Sequence, residues 1–245
     1  MRAEAFYAGL VTLWIATGSP LDGLADKLFW AHMLQHMLLQ MVAPPLIVLG
    51  APWMAFWRVL PLPTRRRLAG WLAHSTGASP LHWVARLLGL PVVAWVLFLG
   101  TIAVSHVPLI FDFALQHSTF HEAEHVVFLG LGLLFWSRAI DSPPFRARLG
   151  PAGAFAFFLT AILAESLLAL VIMGLRAPVY APYAALAPRP EGLSALADQQ
   201  LGGTMMLEPA SLPLLIALLW ALKRWVELQA AVRGAELAPR ETSRA

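Results

Sequence analysis

The sequence predicts an all-α, polytopic integral membrane helix bundle of about six transmembrane helices, on three observations. Apolar residues make up 59% of the 245-residue chain and charged ones 13%, about half the charge of a soluble domain, with a mean hydropathy of +0.68. Long apolar runs recur at 29–50, 87–105, 120–136, 152–175 and 201–220, most close to the ~20 residues that cross a ~30 Å hydrocarbon layer. Lysine and arginine fall almost wholly on one set of connections. Inside lipid each backbone group must be paired within its own segment, so these runs are expected as helices.

In chain order, 3–17 is a shorter sixth candidate. A short positive start and an apolar stretch also suit a signal peptide, but a membrane helix closes the topology. The run 29–50 follows. Residues 51–86 form a basic connection, 87–105 the next span, and 120–136 a span starting at the capping box Thr119-x-x-Glu122. Then come 152–175, a Pro/Ala-rich connection at 176–199, and 201–220. Residues 1–226 thus form a single transmembrane helical domain and 227–245 a polar cytoplasmic tail. No repeat or linker divides the chain.

With the N-terminus cytoplasmic, fourteen of the seventeen Lys and Arg lie inside, leaving Lys27, Arg176 and Arg189 outside. That orientation accounts for the pI near 9.8. It gives no basic face for nucleic acid. Both termini are expected in the cytoplasm, with the chain multi-pass in a bacterial inner membrane. The absence of cysteine excludes disulfides and thiolate metal sites.

Six of the eight histidines, His32, His36, His106, His117, His121 and His125, fall at or near outer helix ends, while His74 and His82 sit in the cytoplasmic connection. In 32-HMLQHMLLQ-40, at 3.6 residues per turn, His32 and His36 lie ~40° apart, Gln40 at ~80°, Met33 at ~100° and Met37 at ~140°. The two imidazoles are about 6 Å apart along the axis, which suits a shared ion. Imidazole with thioether favours copper, above all Cu(I). The plainer reading is packing by Met and helix-to-helix hydrogen bonding by His. Polar groups in a bilayer are costly and usually functional.

The segment 121-HEAEH-125 reads two ways. As H-E-x-x-H it is a zincin signature with Glu122 as base. As H-x-x-E-H it sets His121, Glu124 and His125 within an arc of ~100°, with Phe128 and Gly132 further down the stripe. Glu122 then serves the cap. The zincin reading also lacks a third ligand, because 21-LDG-23 precedes the histidines by most of the chain's first half.

Two further outer elements are 105-SHVPLIFD-112, where Pro108 leaves His106 at the membrane surface, and 198-DQQLGGTMMLEP-209. In the latter, Asp198, Gly202, Met205 and Met206 share one side. Asp198 could instead be an N-cap, and Gly202-Gly203 would admit a close neighbour. Glu165 and Glu208 lie deeper without an evident basic partner, and a shared proton or a bond to backbone freed by Pro209 would suit them.

These stretches together resemble the CtaG-type cytochrome c oxidase assembly family, multi-pass membrane proteins linked to copper delivery or to maturation of haem–copper oxidases. The resemblance rests on 32-HMLQHMLLQMVAPPLIVLGAP-52, 106-HVPLIFDFAL-115, 121-HEAEH-125, 135-FW-136, 178-PVYAPY-183 and 198-DQQLGG-203, in the family's order. The family pattern marks His32, His36, His106, His121, Glu124, His125, Asp198, Gln199 and Met206. The family commonly has Trp at the place of Leu207, an apolar residue at that of Glu208, and seven helices.

The resemblance implies a chaperone-like role in respiratory-chain biogenesis. Its partners would be haem–copper oxidase subunits, a periplasmic copper donor and membrane lipid. The buried copper centre of such oxidases lies toward the outer face, so an outer site could pass an ion without moving it across the bilayer. Expected ligands for Cu(I) are His32, His36, His121 and His125 with His106 nearby. Met33, Met37 and Met206 would form a relay, and Glu124, Asp198 and Gln199 would orient the ligands. No catalytic residue is assigned and no enzyme is expected. A non-metal scaffold, a b-haem protein with facing axial histidines and an intramembrane zinc hydrolase stand as alternatives, in that order.

Overall fold

The computed structural model describes residues 2–74, 79–143, 145–186, 192–209 and 211–237. Arg189, Arg240, Arg244 and the end of the expected tail, 238–245, lie outside the described residues. The described chain is helical: α1 (Arg2–Gly18), α2 (Pro20–Ala25), α3 (Phe29–Met37), a π-helical turn at Leu38–Val42, α4 (Ala43–Gly50), α5 (Trp53–Val59), α6 (Leu62–His74), α7 (Ser79–Leu88), α8 (Pro91–Ser105), α9 (Pro108–Gln116), α10 (Ser118–Ala139), α11 (Pro151–Gly174), α12 (Ala181–Ala185), α13 (Ala195–Leu207) and α14 (Ser211–Leu237). Among these residues no strand occurs, only an isolated bridge between Ser142 and Phe145.

Three helical runs, Phe29–Val59, Pro151–Gly174 and Ala195–Gly234, are long and apolar enough to cross a membrane, and four if α7 and α8, bent by 73°, count as one. α1 packs along α4, and α10 packs against α4, α8 and the π turn. The connection 51–86 is not an extended loop but contains α5, α6 and α7, and His82 stands on α7. It carries Arg58, Arg65, Arg66, Arg67 and Arg86 among Trp and Leu residues. The polar segment from 227 begins as a continuation of α14 up to Leu237.

The π turn has an identifiable cause. In an α-helix the carbonyl of Gln40 would accept from residue 44, and in a π-helix from residue 45. Both are proline, which has no N–H. The Gln40 carbonyl is therefore orphaned in either register. Trp136 of α10 supplies the missing donor, its indole Nε1 lying 3.1 Å from that oxygen. The approach needs Gly132, where a Cβ would stand 2.7 Å from Pro44 Cγ and 3.1 Å from the Gln40 carbonyl. Below this junction Phe98, Phe135 and Phe157 stack at 4.3 and 4.5 Å. At the end of α4, Ser142 Oγ donates to the Val48 carbonyl and Trp53 Nε1 donates to that of Pro143 at 3.0 Å.

Trp136→Phe keeps an aromatic ring but loses the indole N–H and some volume, and so strands a buried carbonyl. The expected loss is about 1–3 kcal/mol of stability, read as a lower unfolding midpoint in detergent. An unchanged midpoint would mean that Gln40 has another donor. Gly132→Val should cost more, because the added methyls meet a proline ring that cannot yield.

Candidate metal centre

α3 carries the first histidine pair, and its start is fixed from outside. Leu28, at the N-cap, has no side chain to offer, so the carboxylate of Asp198 on α13 accepts from the backbone N–H groups of Phe29 at 2.9 Å and Trp30 at 3.1 Å. A carboxylate there answers both the free donors and the helix dipole. α13 is capped by its own Ser194, which accepts from Ala197 N–H at 3.1 Å. Asp198 is thus an N-cap, as its residue type suggested, but for another helix. Gly202 makes the contact close: a Cβ there would fall 2.3 Å from the Phe29 ring.

Capped above and locked to α10 below, α3 turns His32 and His36 inward, 2% and 1% exposed. α10 begins directly after His117, without any side-chain cap. The expected Thr119–Glu122 capping box is therefore not formed, because the helix starts two residues too early for Thr119 to cap it. Glu122 is exposed. From that start the stripe His121, His125, Phe128, Gly132 runs down the face toward α3.

The two pairs meet. Ring centroids are 4.2 Å apart for His32–His36, 4.9 Å for His32–His121, 4.2 Å for His121–His125 and 5.2 Å for His36–His125. Nitrogens of His32, His36 and His121 all lie within 4.8 Å of one another. An ion at ~2.0 Å from each nitrogen would need that spread to close by about an ångström. Among the described residues several of these atoms have no hydrogen-bond partner: both nitrogens of His36 and Nε2 of His121 and His125 are buried without one. Buried polar atoms left unpaired are costly and rare. Their convergence from two helices fits a metal ion.

The orienting partner is one the residue pattern alone does not single out. Tyr183 on α12 donates its hydroxyl proton to the Ala25 carbonyl, and its oxygen lies 3.0 Å from His32 Nδ1. With that proton committed, Nδ1–H of His32 donates to the phenol, and Nε2 keeps its lone pair. Burial, with the charges of Asp198 and Asp26, holds the Tyr183 phenol well above its ordinary pKa, so it stays protonated. The signal for it was the second aromatic of 178-PVYAPY-183, but only the fold brings it to His32.

The remaining expected residues divide. His106 is nearly buried, not at the surface, and faces Met33 Sδ at 3.3 Å. Met37 and Met206 pack in the apolar core. Glu124 is half-buried, and no hydrogen bond joins it to an imidazole among the described residues. Gln199 Oε1 accepts from Val179 N–H at 2.8 Å, which ties the outer connection to α13. His117 is exposed, with its Nδ1 on the Phe113 carbonyl at 2.9 Å. Asp22 and Asp26 are exposed at the end of the bundle that holds the histidines. Their charges, with that of Glu122, reach His121. Asp22 is itself held by Gln35 Nε2 at 2.7 Å.

No solved structure matches the chain significantly. An uncharacterized protein of Mycobacterium bovis is 27% identical over 241 residues, covering 96% of this chain and 35% of that protein. One of Mycobacterium leprae is 26% identical over 230 residues, covering 91% and 34%. The chain thus spans about a third of the length of these curated relatives. Residues 1–227 match the family described as cytochrome c oxidase caa3 assembly factor, with the histidine pairs, Tyr183 and Asp198 all inside the match. On that coverage the chain belongs to the cytochrome c oxidase caa3 assembly factor family.

Proposed function

We propose that the protein assists assembly of a haem–copper cytochrome c oxidase by taking up copper at His32, His36, His121 and His125 and releasing it on the outer side of the membrane. The observation that carries this reading is the meeting of two i,i+4 histidine pairs, four of whose buried nitrogens find no partner among the described residues. Tyr183 sets the tautomer of His32 so that Nε2 is free to bind. Exposed Asp22 and Asp26 offer negative charge beside His121, where a cation would arrive. Copper is the cargo here, so a centre that must close around it serves exchange better than a rigid cage.

The scaffold alternative requires the histidines to bridge helices by hydrogen bonds, yet His36 makes none among the described residues. Ring separations of 4.2–5.8 Å leave no room for a haem macrocycle between facing imidazoles. For a zinc hydrolase, Glu122 would have to reach the centre as base, and it is exposed on another face.

The test is metal content by mass spectrometry after loading the detergent-purified protein with copper under reducing conditions. The parent should retain copper, and His121→Ala/His125→Ala should lose it together with oxidase maturation. If the double variant keeps both, the reading fails. Glu122→Gln should leave copper content unchanged, whereas zinc as the retained metal with loss of a hydrolytic activity in that variant would favour the zincin. Tyr183→Phe, which keeps the ring but not the phenol oxygen, should weaken copper binding about 10–100-fold, measured by chelator competition.

A further inference from the structure

We propose that His106 and Met33 form a second cation site beside the histidine centre, a nitrogen–sulfur pair selective for a soft monovalent ion such as Cu(I). The proposal rests on the copper reading above for its cargo, but on separate atoms for its chemistry.

His106 Nδ1 lies 2.7 Å from the Ile102 carbonyl oxygen. A carbonyl can only accept, so that nitrogen carries the ring proton and the neutral imidazole keeps its lone pair at Nε2. That Nε2 faces Met33 Sδ at 3.3 Å. A thioether has no proton to give. Two electron-pair donors therefore stand in contact with no hydrogen between them. A doubly protonated ring would turn the contact into an N–H···S bond, but the ring is 7% exposed and no carboxylate contacts it. An unpaired buried charge is expensive. A cation that both lone pairs can hold resolves the contact without one.

The donor types then decide which ion. Borderline Zn(II) is content with imidazole, whereas thioether sulfur selects Cu(I). The histidine centre alone discriminates little between the two metals, so a sulfur-bearing station would add the selection. With ~2.0 Å to nitrogen and ~2.3 Å to sulfur, donors 3.3 Å apart subtend roughly 100° at an ion. That leaves room for a further ligand and makes the pair an open stopping place. Its position suits hand-over. Met33 follows His32 on α3, and the Phe111 ring lies between, 5.1 Å from the His32 ring and 6.4 Å from that of His106. The Met33 side chain, with three rotatable bonds, can move its sulfur, while Ile102 holds the ring of His106 and Tyr180 donates to its backbone carbonyl at 3.2 Å.

The experiment is anaerobic Cu(I) titration of the full-length protein in detergent, with copper K-edge absorption to detect sulfur ligation. Met33→Leu is the main variant because it conserves volume, and its unfolding midpoint checks the fold. The parent should bind two Cu(I) with a sulfur shell, and Met33→Leu one, bound by nitrogen alone. Zinc capacity should be the same in both. Parent spectra without sulfur, or Met33→Leu with unchanged stoichiometry and spectrum, would overturn the second site and leave the histidine centre standing. A single sulfur-ligated Cu(I) that survives His121→Ala/His125→Ala would support the second site and remove the first. No Cu(I) in the parent would overturn both.

Discussion

The carbonyl of Gln40 sets the geometry on which the rest depends. Hydrocarbon offers it no water, so a missing backbone donor must be replaced by protein. Two consecutive prolines remove the donor in both available helical registers, and the Trp136 indole replaces it. A directional bond at that depth, backed by the Gly132–Pro44 contact, fixes how far α10 slides along α3 and α4. On the same faces, His36 stands about one turn above Gln40 and His125 about two turns above Gly132. A register shift of one residue would turn the histidines of α10 away from those of α3.

The histidine end of the bundle is held by a different means. Asp198 caps α3 across a gap of 169 residues, and Tyr183 reaches back from α12 to Ala25 and His32. Phe29, Phe111, Tyr180 and Tyr183 pack around one another there, with Phe29 stacked on Tyr180 at 4.8 Å and Phe111 4.2 Å from that ring. Rigid aromatics of this kind hold a polar cluster in place with little side-chain entropy to lose. The cluster itself destabilises the fold, because its buried nitrogens are desolvated without bonds. Support above and below is what lets such a conflict persist, and conflicts of this kind are expected where function is placed.

The polar residues also sort by chemistry. Four imidazoles gather at one centre, a nitrogen–sulfur pair stands beside it, and acids sit outward of both. The remaining methionines, Met37 and Met206, pack in the core, where thioethers fill irregular space well. Of the three methionines expected in a relay, Met33 is the one whose sulfur meets an imidazole among the described residues. Glu165 is 1% exposed, and among the described residues neither of its oxygens is hydrogen-bonded, so neither the proton shared with Glu208 nor the backbone bond expected for it is formed.

The sequence by itself determined that this is a helical membrane protein and that four of its histidines fall in two i,i+4 pairs. Those properties depend on composition and period, which short windows of chain carry. It also singled out His32, His36, His121 and His125, since i,i+4 pairs share a helix face whatever the surroundings. Tertiary structure alone decided that the two pairs meet, that Tyr183 rather than Glu124 bonds an imidazole, and that Asp198 caps α3. Each is a contact between residues far apart in the chain, set by which helices are neighbours and at what register. Pro44 and Pro45 were visible from the start, and they imply an orphaned carbonyl. Which donor would answer it depended on a tryptophan ninety-six residues away, and no local pattern encodes that distance.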